Sequence, residues 1–278
     1  MNSQKPPITG LVITFNEADR IADCLRSMLP VAQQLLVIDA GSTDGTAEVA
    51  RSVGAEVHVC DWAGFTRQRN IALERAAHPW SLFLDADERL SDELVDGILR
   101  AFANSPQARA QRNRIDGFDM RFRTHFLGGP LRFGVPGREH HVRLFRSTLR
   151  YHQRLVHEAV NIQRSRIDRL PGYVWHNTAR DYTHYQRKLI RYAELRAAER
   201  VAAGDRSSIV RATSSSSLYW LKYYWLRGGF LDGRAGYLYH RLHAEYVFMK
   251  HALVWQHELR TRMASTHGAA VISLGHQQ

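Results

Sequence analysis

The first part of the chain alternates between two hydrophobic periods. Ile8–Phe15 is a continuous apolar, β-branched run, the pattern of a strand buried on both faces. After Asn16-Glu17 the period lengthens. Ile21, Leu25 and Met28 share one helical face, and Pro30 ends it. Leu35–Asp39 predicts a second strand, followed by the loop AGSTDG and a helix to about Val53. Glu56–Val59 predicts a third strand, Thr66–Ala77 a helix capped by Thr66, and Trp80–Asp85 a fourth strand. Ser91-Asp92-Glu93 caps the next helix and puts acids in its first turn. Strands alternating with helices in this way form βαβ units around a parallel sheet covered on both faces.

Past Gly117 the rhythm changes. Phe118–Thr124, Val142–Phe145 and Leu155–Val160 read as short strands without regular helices between them. Tyr182 to about Val201 is helical in period, and a polar break at Gly204–Ser208 leads to a last segment rich in aromatics. The expected organisation is three segments, residues 1–117, 118–205 and 206–278, the last a helical extension.

Charge sharpens that division. The net charge is +11, yet residues 1–118 hold 12 Lys+Arg against 16 Asp+Glu, a net of −4, and the remainder holds 26 against 11, a net of +15. Such a basic half faces an anion: nucleic acid, a phosphorylated substrate or anionic lipid. Two cysteines, Cys24 and Cys60, make no disulfide framework and point to a reducing, cytosolic compartment. No apolar run approaches the roughly 18–20 residues that span a bilayer. The start, MNSQKPPITG, lacks the apolar stretch of a signal peptide.

Asp85-Ala86-Asp87 follows the apolar run Trp80–Leu84. Ligands of open parallel sheets bind beyond the carboxyl ends of the strands. Two carboxylates there suit a hard divalent cation that also binds phosphate oxygens, Mg²⁺ or Mn²⁺. The alternative is turn chemistry, with an Asp capping the next helix. Asp39 ends the second strand and is a candidate for touching a ligand, whereas Asp44 in the same block reads as a cap. Arg67, Arg69 and Asn70 are either solvated helix positions or phosphate contacts. Arg132, Arg138, Arg143 and Arg146 are either a phosphate clamp or the polar face of a strand. The pair His140-His141 reads as hydrogen-bonded packing.

Four blocks in register, Thr14-Phe15-Asn16-Glu17, VIDAGSTDGT, Gln68-Arg69-Asn70 and FLDADE, resemble glycosyltransferase family 2. The resemblance implies the α/β GT-A fold, a Rossmann-like, mostly parallel sheet covered by helices. It also implies a nucleotide-sugar site at Thr14, Asn16, Glu17, Asp39, Arg69 and Asp85. Asp39 would contact the nucleoside, and Asp85 with Asp87 would hold the metal on the diphosphate. Many members carry a second Asp where this chain has Ala40, so nucleoside recognition does not carry over in full. In the second half, Leu127–Pro130, Arg143–Arg146, Val156-His157-Glu158 and GGFLDGRAG resemble bacterial lipopolysaccharide inner-core β-1,4-glucosyltransferases.

Inverting transfer needs a base for the acceptor hydroxyl. Glu158, among arginines and histidines, is ionised as a base must be; the competing reading is a salt bridge. Position 161 is Asn, so no HExxH zinc motif forms. Arg143, Arg146 and His157 are the expected acceptor contacts. The expected function is transfer of a sugar, with glucose the first candidate, from a UDP donor to a lipopolysaccharide core or related glycolipid. The alternative is a basic nucleic-acid-binding protein, for which no recognition motif is present and no nucleic-acid partner is expected. Eleven aromatics between 219 and 255, interspersed with Lys222, Arg227, Arg234, Arg241 and Lys250, fit either of two roles. They pack onto their own domain, or they dock a cytoplasmic protein on the anionic inner face of the inner membrane.

Overall fold

The computed structural model describes residues 5–136, 139–152, 160 and 162–274. These form two compact units, residues 1–124 with 138–177 and residues 125–137 with 178–278. The three expected segments do not coincide with them. Strands from residues 117–177 complete the sheet begun by the first segment, and the helix beginning at Tyr182 packs with the last helix. Residues 118–205 are therefore divided between the units.

In unit 1, β1 (Ile8–Thr14), β2 (Gln34–Asp39), β3 (Glu56–Val59) and β4 (Trp80–Phe83) lie parallel in the order β3-β2-β1-β4. The sheet continues through β8 (His140–Arg146), β6 (Gly117–Phe126), β10 (Val174–Asn177) and β5 (Glu88–Leu90). The pairs β4/β8, β6/β8 and β10/β5 are antiparallel, and β9 (Ile167–Arg169) runs parallel to β6. This is the α/β architecture with a parallel half that the sequence pattern implied. The expected strand Leu155–Val160 lies mostly outside the described residues; Val160 bridges Tyr151.

Alternation explains how β1 and β2 are buried on both faces. Ile8 and Val12 of β1, with Leu35 and Val37 of β2, join the core that buries Ile21, Cys24, Leu25 and Met28 of α1 (Ile21–Met28). Leu11 and Ile13, with Leu36 and Ile38, join a second core with Ala72 and Leu73 of α3 (Phe65–Glu74). Each such side chain contributes about 1.5–3 kcal/mol on burial. Gly10 lets α1 approach, since a Cβ there would stand 3.1 Å from Met28 Sδ of that helix.

Helix ends follow the capping residues only in part. Ser91 Oγ accepts from Leu94 N at 3.2 Å and starts α4 (Asp92–Ala101), as expected. Gly45 and Gly64, both at positive φ, begin α2 (Thr46–Ser52) and α3. Thr66 therefore lies inside its helix and does not cap it. α5 (Pro106–Arg114) has no buried residue.

Unit 2 contains β7 (Gly129–Leu131), α6 (Tyr182–Ala202), α7 (Ile209–Tyr219), a π-helical continuation Trp220–Leu226, a 3₁₀ turn Gly229–Asp232 and α8 (Gly233–Leu274). Phe126, Tyr185, Leu189, Tyr239 and Leu242 form its core. GGFLDGRAG is a tight turn: a Cβ on Gly236 would stand 2.2 Å from the Gly229 carbonyl oxygen. The Asp232 carboxylate closes that turn by accepting from Arg132 N and Phe133 N at 3.0 Å. His243 Nε2 pairs with the Tyr185 hydroxyl at 2.8 Å. Burial pushes His240 down to about 4. Burial, with His240 and Lys250, pushes His243 down to about 3.

Candidate active site

The carboxyl ends of β1 and β2 are in register, Thr14 opposite Asp39, and the loops that follow are tied together. Asn16 takes φ 55°, receives Thr43 N on its Oδ1 at 2.9 Å and donates its own N–H to Ser42 Oγ at 2.8 Å. Glu17 N donates to Thr46 Oγ1 at 2.8 Å, and Ala18 N to Asp44 Oδ2 at 3.1 Å. Asp44 thus bridges two loops as well as holding Thr46 N at the start of α2. Buried Asp39 accepts from Ser42 N at 2.8 Å and from Ser42 Oγ, so it shapes its own turn. The Thr14 hydroxyl, also buried, has no hydrogen-bond partner among the described residues.

The turn after β4 carries the charge. Asp85 Oδ1 accepts from Arg69 at 3.2 Å and Asp85 Oδ2 from Arg143 at 2.9 Å. Burial opposes ionisation of Asp85, but the Arg143 and Arg69 guanidiniums outweigh it and hold the carboxyl well below the usual carboxylate range. Glu88, fully buried, shares Arg143 and accepts Asp85 N at 3.0 Å on its other oxygen. Burial pushes Glu88 up, against Arg143 and with Asp85, to about 7. One guanidinium therefore serves two carboxylates, and of the two Glu88 keeps its proton to the higher pH.

Asp87 has further partners. Its Oδ2 lies 3.4 Å from His176 Nε2 and 3.8 Å from the Arg20 guanidinium, while its carbonyl accepts Asn177 N at 2.9 Å. Arg20 reaches over from the start of α1 and donates to the Asn177 carbonyl at 3.2 Å. Phe122 lies beneath, in edge contact with His141 at 4.8 Å and His176 at 6.4 Å. Burial, with Arg143 and His176, lowers His141 to about 4. Burial raises Glu139, against the pull of His176.

The expected site residues thus fall into groups. Thr14, Asn16, Glu17 and Asp39 gather at the ends of β1 and β2. Arg69, Asp85, Asp87 and Arg143 gather after β4. Arg143 is engaged with acids rather than open as an acceptor contact. Arg146 does not join the cluster. Three residues along a strand is about 10 Å and the opposite face. The Arg146 guanidinium lies over Trp80, 4.3 Å from the ring centroid at the other end of β4, and donates to the Arg112 carbonyl at 2.8 Å. His140, exposed on β8, bonds Asp119 at 3.0 Å. His157, Glu158 and Arg138 lie outside the described residues.

Among the described residues no three His, Cys, Asp or Glu side chains form a metal-holding group. Asp87 with His176 offers two donors, one oxygen and one imidazole nitrogen. The carboxylate suits Mg²⁺ or Mn²⁺, which keep waters and substrate phosphates as their other ligands, and the imidazole favours Mn²⁺ of the two. Asp85, held by two arginines, fits a metal less well. His176, Glu88 and Arg20 had no assigned role in the sequence. Glu88 stood within FLDADE, while His176 is a lone histidine in a short strand.

A parallel sheet whose carboxyl ends carry this acid cluster agrees with the α/β architecture that the motifs implied. Residues 11–190 match glycosyl transferase family 2, and the chain belongs to that family. It is 27% identical over 263 residues to the lipopolysaccharide core biosynthesis glycosyltransferase LpsC of Rhizobium meliloti (strain 1021), covering 90% of this chain and 94% of that one. An uncharacterized glycosyltransferase of Rickettsia felis is 40% identical over 102 residues, 37% of this chain and 36% of its own. Among solved structures, residues 1–349 of TarS from S. aureus are 15% identical with a TM-score of 0.39, covering 69% of this chain and 65% of that one. Membership of a glycosyltransferase family leaves the nucleic-acid-binding alternative without support.

Proposed function

We propose that the protein is a metal-dependent, inverting glycosyltransferase that moves a sugar, with glucose first among the candidates, from UDP to a lipopolysaccharide core or related glycolipid acceptor. The observation that carries this reading is the Asp87–His176 pair beside the arginine-held Asp85, at the carboxyl ends of a parallel sheet. The likeness to LpsC along nearly the whole of both chains supports the acceptor class.

In the reaction, the acceptor hydroxyl oxygen bonds to the anomeric carbon from the side opposite the diphosphate. The carbon–oxygen bond to the diphosphate breaks, and the diphosphate takes the electron pair. The hydroxyl proton passes to the Glu158 carboxylate, the base that the sequence offers. An α-linked donor so gives a β-linked product. Asp87 and His176 would hold Mg²⁺ or Mn²⁺, which when bound neutralises charge on the leaving diphosphate. Arg69 and Arg143 keep Asp85 ionised and fixed, so its carboxylate needs no reorganisation when the donor enters. Asp39, with the Thr14 hydroxyl beside it, meets the nucleoside. Arg20 offsets the charge of Asp87.

The partners of this reading are the UDP-sugar, the glycolipid acceptor and the anionic cytoplasmic face of the inner membrane. No helix among the described residues is long and apolar enough to cross a membrane. The test is a screen of UDP-, GDP- and dTDP-sugars for metal-dependent thermal stabilisation. A ligand that binds only the folded state raises stability as RT ln(1 + [L]/Kd). A UDP-sugar should stand out with Mn²⁺ or Mg²⁺ present. Stabilisation by another nucleotide sugar alone rejects the donor, and stabilisation untouched by chelator rejects the metal.

A further inference from the structure

The eleven aromatics of the C-terminal segment do not share one fate. Tyr239 is in the core of unit 2, but the π-helical segment Trp220–Leu226, sequence WLKYYWL, has no buried residue. The exposed apolar surface is most marked at the turn that follows. Leu226 is 76% exposed, Leu231 58%, Trp225 54% and Phe230 42%. Trp225 and Phe230 lie against each other with ring centroids 5.7 Å apart, Leu226 follows Trp225 in the chain, and a Cβ on Gly228 would come within 3.2 Å of Leu231. Phe133 extends this surface: a Cβ on Gly228 would come within 3.6 Å of its ring, and Phe133 is itself exposed. Monomeric proteins rarely leave such surface contiguous without a use for it.

Charge identifies the occupant. Between Leu218 and Tyr237 the sequence carries Lys222, Arg227 and Arg234 against a single acid, Asp232. That carboxylate is turned to the backbone amides of Arg132 and Phe133. The cations stand exposed beside the apolar groups, as does Arg132. A second copy of the chain on this patch would bring like charges together. An anionic lipid surface matches both features: acyl chains for the apolar tip and phosphates for the cations.

We propose that the turn between Trp225 and Leu231 is a membrane-insertion element. Its leucines and aromatic rings enter the headgroup boundary of an anionic bilayer, and Lys222, Arg227 and Arg234 bind the lipid phosphates. This deepens the membrane-surface partner named above and rests on that reading of a lipid-linked acceptor. The site is built by the π-helical segment, whose wider turns keep Trp220 stacked on Tyr224 at 4.3 Å and carry Trp225 outward.

The test is flotation with vesicles of phosphatidylethanolamine and phosphatidylglycerol, and with phosphatidylcholine vesicles, at low and high salt. The full chain should float with the anionic vesicles at low salt and be released by salt. The Trp225→Ser/Leu226→Ser/Leu231→Ser protein should lose at least tenfold in vesicle affinity while keeping its melting temperature. Should that variant fold poorly, the single change Leu226→Glu, at the most exposed of these positions, should lower vesicle affinity in the same direction. Lys222→Gln/Arg227→Gln should weaken anionic binding and flatten its salt dependence. Equal flotation of wild type and both apolar variants overturns the proposal. So does absence of flotation at low salt, or a wild-type dimer that the apolar variants dissociate. Donor-induced stabilisation measured on the same proteins separates the two readings. Lost flotation with donor binding intact rejects the docking element alone; flotation without any nucleotide-sugar binding rejects the transferase reading alone.

Discussion

The acid cluster after β4 and the turn at 225–231 invert each other. In the first, charge lies inside and is held by fixed partners: Asp85 between Arg69 and Arg143, Glu88 beneath the same arginine. In the second, apolar surface lies outside, with cations around it. Both arrangements work against folding. Burying charges carries a desolvation cost that pairing only partly offsets, and leaving leucine and tryptophan in water forgoes burial. The contrast teaches that each region is shaped for something not yet present. The first suits the charged ligand proposed for it, and the second the lipid surface proposed for it.

The sharpest break comes from the base. Glu158→Gln keeps the shape but accepts no proton, so turnover should fall by about 10²–10⁴-fold. Donor binding, assigned to the strand ends, should be nearly unchanged in a titration with UDP-sugar. Weakened donor binding with turnover spared at saturation would make Glu158 structural, and Glu139→Gln the next variant to assay.

Removing Arg143 tests whether charge inside is held by its partner. Arg143→Met leaves Glu88 buried and Asp85 with one guanidinium, and breaking such a pair costs about 3–5 kcal/mol. The partial exposure of Asp85 puts the expectation near the low end. The loss has a pH signature. Without Arg143, the folded-state value of Glu88 rises further above its unfolded value. That contribution to stability is present at low pH and is lost as pH rises through the folded value. Urea denaturation should therefore show the variant more destabilised at pH 8 than at pH 6. An equal loss at both would mean that Glu88 is not the group that responds.

The smallest effect sharpens the other side. His240 and His243 are depressed to about 4 and about 3 by burial in unit 2. Groups depressed in the folded state add stability above their unfolded value, about 6.5, and lose it as pH falls through the folded value. Thermal melts should show stability falling from about pH 6.5 toward 3, less steeply in His243→Gln. A melting temperature flat across that window would contradict the burial of both rings.

What was legible in the sequence follows from how local each signal is. Ile8–Thr14 could be read as a doubly buried strand because its own residues lack a polar face. Ser91 could be read as a cap because the helix it starts follows at once. Asp85 and Asp87 stood out because they end an apolar run. His176 did not, since a lone histidine in Val174–Asn177 meets Asp87 only through the antiparallel pairing of β10 with β5. Helix α5 was missed because Pro106–Arg114 buries nothing and so has no hydrophobic period. Arg143 and Arg146 looked alike in sequence, and strand geometry sent them to opposite faces of β8. Thr66 lost its capping role to Gly64, whose φ of 92° no side-chain propensity announces. In the aromatic segment, which rings are buried and which stand exposed shows only residue by residue in the fold.

The central claim is that Asp87, paired with His176, holds the metal on which transfer depends. The direct measurement is turnover of the UDP-sugar with and without chelator, for the wild type and for Asp87→Ala, beside thermal melts of both. The strand-end turn carries little packing, so the variant should melt like the wild type, lose transfer and show no response to chelator, while the wild type is stopped by it. Near-normal, chelator-insensitive turnover in Asp87→Ala would contradict the account.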